Sequence, residues 1–246
     1  TLLASSAASD VYKRQIYIFD FGMTIFYYSF IILALLACLT VSFRIKKQQY
    51  LILYLFVIVL LSLLAGLRYD NADYENYLEI FKNPWEVSPD KGFSAFVLIV
   101  RWFTTSPIYM FLPVAIIAVS LNISSYRKYS PYLFVSVLFY FVHSFLLKEY
   151  VQIRAGLSCA ICLYAIRYIE YKSLWKYIAC MVIAMSIHMS SIIFFPMFWV
   201  YYFMKNKSNS CLMYFLLLSF IIGTLYPFGQ VINCLLYTSD AADEAR

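Results

Sequence analysis

The sequence predicts an all-α fold: a polytopic transmembrane helical bundle with a short amphipathic interfacial helix and one broken or re-entrant helix pair. Three observations predict it. Hydrophobic residues make up 63% of the 246-residue chain and charged ones 13%, with a mean hydropathy of +0.75, far from the balance of a soluble domain. Apolar runs near the ~20 residues that a helix needs to cross a bilayer recur along the chain. The breaks between them are basic on one side and acidic on the other.

Both ends stand apart from this pattern. Residues 1–15 (TLLASSAASDVYKRQ) and 234–246 (CLLYTSDAADEAR) match neither the apolar chain between them nor a signal peptide. Ser5 to Gln15 can be written in codons whose complementary strand, shifted by one base, reads Cys234 to Glu244. Translated sequencing-adapter DNA, read from its two strands, has that property. The two segments are therefore set aside as adapter-like and non-native. Residues 16–233 remain as the transmembrane domain, expected to be an internal piece of a longer protein.

Spans are expected at 23–43, 50–67, 105–121, 131–147 and 150–169, within 177–204, and at 211–229. The first ends at Arg44-Ile45-Lys46-Lys47, and the second carries no charge until Arg68. Residues 93–103 have apolar side chains at 93, 96, 97 and 100, a helical spacing, but are too few to span. Thr104-Thr105-Ser106-Pro107 divides them from the next run, so they are expected at the outer interface. There Trp102 sits in the headgroup belt and Arg101 anchors lipid phosphate.

The clusters 44–47, 127–128, 167–176 and 205–207 hold ten basic residues and one acid, Glu170, and so belong in the cytoplasm. Six of the nine acids in 16–233 (Asp70, Asp73, Glu75, Glu79, Glu86, Asp90) lie in the loop 68–92, which is expected outside. This alternation requires 177–204 to cross twice. As one helix that segment reaches only ~42 Å, against ~60 Å for two crossings. A pair of short helices meeting near Ser186-Ile187-His188-Met189-Ser190-Ser191, with Pro196 bending the second, resolves the shortfall. The alternative is one tilted helix that leaves Lys205 and Lys207 outside.

The cysteines at 38, 159, 162, 180 and 211 lie in apolar runs and read as small buried hydrophobes, without disulfide or metal spacing. Ionisable groups inside spans are costly and mark candidate sites. His143 lies ~7 Å below the outer Lys148-Glu149 break and Arg154 ~9 Å below it. His188 is at the middle of the broken segment, and Arg68 is where the second span surfaces. These four can line one cavity open to the outside, with Gln152 beside Arg154. Each also has a plainer reading: lipid anchoring for the arginines, helix hydrogen bonding for His188, aromatic packing for His143. In the outer loop Asp70, Asp73, Tyr74 and Tyr77 recur at one face of a short helix. Carboxylates suit sugar hydroxyls, and aromatic rings suit sugar faces. EF-hand and Asp-x-Asp spacings are absent, so no metal and no other cofactor is expected.

Four motifs in order, GLRYDNADYENY (66–77), Asp90-Lys91-Gly92-Phe93, Gln152-Ile153-Arg154 with Gly156-Leu157-Ser158, and Ile187-His188-Met189-Ser190-Ser191 before Pro196, carry a resemblance. From about residue 20 to 205 the chain resembles the EpsG branch of Wzy-type polysaccharide polymerases. The resemblance implies a multi-pass bacterial inner-membrane enzyme, a metal-independent glycosyltransferase that joins undecaprenyl-pyrophosphate-linked oligosaccharide units into exopolysaccharide, capsule or O-antigen. Its surroundings would be the lipid bilayer, with a chain-length regulator and a flippase as candidate partners and no nucleic acid. On this implication Arg68 and Arg154 hold the pyrophosphate and His188 is the general base, with Asp70 or Asp73 as substitute. Asp70, Asp73, Tyr74, Tyr77, Gln152 and His143 then contact substrate. The rivals are a transporter or flippase, using Arg154 and His188 for an anion or for protons, and a membrane O-acyltransferase, whose histidine would open to the cytoplasm.

Overall fold

The computed structural model describes residues 24–43, 46–67, 73–205, 213, 214 and 217. The adapter-like ends, Arg68, Asp70 and nearly all of the expected span 211–229 lie outside these residues. The fold is all-α, and no strand occurs among the described residues. Two compact units are present, residues 1–195 and 196–246.

In the first unit the helices are α1 (Thr24–Ser42), α2 (Lys47–Gly66), α3 (Tyr74–Lys82), α4 (Pro84–Val87), α5 (Lys91–Phe103), α6 (Ile108–Tyr129), α7 (Leu133–Tyr140), α8 (Leu146–Lys148), α9 (Ile153–Glu170) and α10 (Leu174–Ile187). A widened π turn, Phe141–Phe145, joins α7 to α8, and a tight 3₁₀ stretch, Met189–Phe194, follows α10. α1, α2 and α6 are long and apolar enough to cross a membrane. This is a membrane protein. In the second unit α11 (Met197–Met204) starts after Pro196, and Phe198 packs its ring on Trp199 and Tyr202.

α2 is apolar on every side, as a helix facing both lipid and protein must be. Its Val57, Leu61 and Ala65 are buried in a cluster with Leu33 and Ala37 of α1 and Ala115, Val119 and Ile123 of α6, while Leu51, Ile52, Leu55 and Val59 stay exposed. Gly66 permits the closest approach, since a Cβ there would lie 2.7 Å from Leu112 Cδ1. α6 runs to Tyr129, eight residues beyond the expected limit of 121. The added turns are polar but satisfied: Asn122 and Ser125 face the bundle, and Ser125 Oγ donates to Leu121 O at 2.8 Å. Arg127 and Lys128 end the helix where cations suit its dipole. Lys128 pairs with Glu170, which brings the basic ends of α6 and α9 together.

Residues 177–204 do not form one helix. α10 stops at Ile187, and His188 is extended at φ −156° and ψ 111°. Ser158 of α9 fixes that break: its hydroxyl lies 3.0 Å from Ala184 O and also contacts Ser191 Oγ. A short hydrogen bond from Tyr177 Oη to Phe194 O holds the far end of the 3₁₀ stretch.

α5 departs from a purely interfacial helix. Phe93, Ser94, Val97 and Val100 are buried, and its neighbours are α3, α4, α6 and α10. Trp102, near the C-terminal end of the helix, is 85% exposed. Arg101 has a protein partner, donating to Lys82 O at 3.1 Å. The last carbonyls of α3 lack intrahelical donors, and the last turn of α5 delivers a guanidinium to one of them.

Candidate functional site

Three elements meet at one carboxylate. Asp90 caps the entry to α5 and is 9% exposed. The turn before it is tightly bonded: Asp90 N donates to Ser88 Oγ at 3.3 Å, Lys91 Nζ donates to Trp85 O at 2.9 Å, and Ser94 Oγ donates to Pro84 O. Gly92 then lets α5 press on α10. A Cβ at Gly92 would overlap the side chain and the carbonyl oxygen of Ser186.

Arg154, in the first turn of α9, donates from Nη1 to Asp90 Oδ2 at 2.9 Å, with its side chain 18% exposed. The guanidinium lies 5.9 Å from the centre of the Tyr77 ring. His188 presents Nδ1 to the same Oδ2 at 3.6 Å, and Met189 N donates to Oδ1 at 3.4 Å. His188 Nδ1 is buried without a hydrogen-bond partner. α10 is 14 residues long, so His188 stands ~21 Å above the basic end of the helix. Arg154 stands ~24 Å above Glu170 on α9 by the same measure. The two side chains thus share one level.

Of the residues singled out by sequence, Arg154 and His188 converge on Asp90, with Tyr77 beneath Arg154. Tyr77 is 2% exposed, and its ring meets Phe93 and Phe111 edge-on, so its face turns into the protein rather than toward solvent. Burial pushes its phenol above the ordinary value of 10.0, against the opposing pull of Arg154. Tyr74 stacks on Phe111 at 5.5 Å, and Asp73 stands at the entry to α3, its carbonyl accepting from Tyr77 N at 3.1 Å. Gln152 is exposed at the start of α9. His143 is exposed in the π turn and stacks on Phe139 at 5.3 Å.

The sequence placed Asp90 among six outer-loop acids and at the head of the Asp90-Lys91-Gly92-Phe93 motif, but gave it no role in the site. The available signal was its place two residues before Gly92 at the head of a half-length helix.

A second buried carboxylate was also missed. Glu149, expected in the outer break, is 4% exposed; Asn122 Nδ2 donates to its Oε1 at 2.8 Å and lies 3.2 Å from Tyr140 Oη. Gly156 explains the descent, because a Cβ there would come 2.6 Å from Lys148 O. Asn122→Leu strips Glu149 of a donor in the interior, and a loss of ~1–3 kcal/mol is expected. The checking measurement is the thermal unfolding midpoint in detergent. Asn122→Leu with Glu149→Leu should recover part of the loss, since the buried carboxylate goes with its donor and the Tyr140 hydroxyl is the group left unpaired.

Among the described residues no group of three or more His, Cys, Asp or Glu is placed to hold a metal ion. What the site offers is a fixed cation, an acid shared between two partners and an imidazole at one depth. That set can bind an anion and move a proton beside it.

The EpsG family model matches residues 51–242 of the chain. The amylovoran biosynthesis protein AmsC of Erwinia amylovora is 31% identical over 131 residues, which cover 46% of this chain and 35% of that protein. The match thus spans about a third of the relative's length. No solved structure matches the chain.

Proposed function

Because the chain belongs to the EpsG family, we propose that it is the glycosyltransferase-type polymerase of a bacterial inner membrane, joining polyprenyl-pyrophosphate-linked oligosaccharide units into exopolysaccharide, capsule or O-antigen. The relative named for amylovoran biosynthesis supports a role in making polysaccharide. The observation that carries the reading is the convergence of Arg154, Asp90 and His188 from three separate elements at one buried point.

A polyprenyl-pyrophosphate donor keeps its tail in lipid and its pyrophosphate near the interface. Arg154, joined by Arg68, holds phosphate oxygens through forked hydrogen bonds. His188 takes the proton from an acceptor hydroxyl as that oxygen bonds to the anomeric carbon of the donor. The bond from the anomeric carbon to the phosphate oxygen breaks, and the arginines stabilise the charge that builds on the leaving pyrophosphate. The positive charge needed there comes from side chains, so the reaction runs without a divalent ion. Asp70 or Asp73 is the substitute base, and Tyr74 with Gln152 lies toward the glycan.

The test uses the full-length protein in cells lacking the native copy. His188→Ala, stably inserted, is expected to cut long polymer at least ~100-fold, the low end of what a general base contributes. Lipid-linked single units should then accumulate on the outer leaflet. Accumulation on the inner leaflet would identify a flippase instead. Undiminished long polymer would remove His188 from the chemistry.

A further inference from the structure

Asp90 Oδ2 faces two groups and bonds only one. It accepts from Arg154 at 2.9 Å but lies 3.6 Å from His188 Nδ1, beyond the ~2.7–3.2 Å of an ordinary N–H···O bond. The ring nitrogen is buried and finds no other partner. Buried polar atoms are rarely left so, and each exception calls for a cause. Here the cause is competition for position: the charge-assisted bond to the guanidinium holds Oδ2 at 2.9 Å from Nη1 and leaves it out of the imidazole's reach. The contact is also single-toothed, through Nη1 and Oδ2 alone. A shift of about 0.6 Å toward His188 would complete the second bond.

We propose that Asp90 is a positioning residue handed from Arg154 to His188 when an anionic diphosphate binds. The proposal rests on the polymerase reading and adds an order of events to it. In the empty site the Asp90 carboxylate stands where a phosphate oxygen belongs. An incoming diphosphate carries more negative charge and offers forked acceptors, so it takes the guanidinium. Oδ2 then accepts from His188 Nδ1–H, while Met189 N–H keeps Oδ1 in place. Bonded at Nδ1, the imidazole is fixed in the tautomer whose Nε2 lone pair is bare. The base is therefore armed only after the donor is seated, and the acceptor hydroxyl loses its proton only beside a donor ready to react.

The test uses full-length protein in nanodiscs, labelled with ¹⁵N-histidine, and inorganic pyrophosphate as the probe. His188→Gln identifies the His188 signals. In the wild type, pyrophosphate should move the ring from the Nε2–H to the Nδ1–H tautomer. Asp90→Asn should abolish that response and long polymer alike. It should also bind pyrophosphate more tightly, on the order of tenfold, because the internal competitor is gone. Asp90→Glu, which restores the carboxylate, should recover part of the tautomer response. A wild-type ring unmoved by pyrophosphate, or Asp90→Asn binding no more tightly, overturns the hand-over. If affinity still falls in Arg154→Ala, the polymerase reading survives that result. Pyrophosphate binding indifferent to Arg154→Ala sinks the reading itself, and the hand-over with it.

Discussion

Arg154→Ala in the full-length protein is expected to abolish long polymer and also to lower the amount of stably inserted protein. Two losses are combined. The first is chemical: on the proposed polymerase reading the guanidinium holds the donor phosphates, and removing a preorganised charge from a transition state costs about 10²–10³ in rate. The second is structural. Asp90, 9% exposed, loses its ion-pair partner and is left charged in the interior, at ~3–5 kcal/mol. The double change Arg154→Ala with Asp90→Asn isolates the structural loss, because it removes the stranded charge together with the cation, whereas Asp90→Asn alone already removes long polymer. Inserted protein should return toward wild-type amounts on an immunoblot of membranes, while long polymer stays absent. Arg154→Lys should rescue insertion better than activity, since an ammonium neutralises Asp90 without offering a planar fork. Recovery of polymer in the double variant would show that Arg154 serves only the fold.

Gly92→Ala should be the second most damaging single change, although it adds one methyl group. The new Cβ would strike Ser186 at both its hydroxyl and its backbone carbonyl oxygen. A hydroxyl can rotate away; a carbonyl within α10 cannot. α5 must therefore retreat, and Asp90, two residues ahead, retreats with it. Overpacking of this kind costs ~1–3 kcal/mol, yet the larger effect falls on the site, since His188 is carried by α10 and Asp90 by α5. A 1 Å misplacement can cost ~10²-fold in rate. Polymer should shorten sharply while the protein remains inserted. Adding Ser186→Ala should not restore it, because the carbonyl remains. Full restoration by that second change would mean that the side chain, not the backbone, sets the distance between the helices.

The helices were legible where the bilayer dictates composition. α2, with no charge between Lys47 and Arg68, and the basic ends of α6 and α9 follow from hydropathy and charge alone. The break at His188 was also legible, since 28 residues are too few to cross twice and the serines there offer the backbone other partners. What composition concealed was burial by protein. The span was expected to end at 121, yet Asn122 points at Glu149 and the helix continues to Tyr129. Glu149 and Asp90 each looked like water-facing acids at a span boundary. Their positions depend on Gly156, which lets its helix close on the Lys148 carbonyl nearby in the chain, and on Gly92, which lets α5 close on the distant Ser186. Arg154 and His188 were visible as intramembrane charges; the acid between them, 64 residues before the arginine, was not.

The anchoring of the α10 break bears on how a chain of sugars could lengthen. Ser158 ties the turns on either side of His188 to α9, through Ala184 O and Ser191 Oγ, so the imidazole has little room to follow a moving end. In a polymerase built this way the catalytic point stays still and the product must travel. After each addition the nascent glycan has to slip outward by one repeat before the next terminal hydroxyl reaches the same nitrogen. Processivity would then be governed by how firmly the outer loop grips what has already been made.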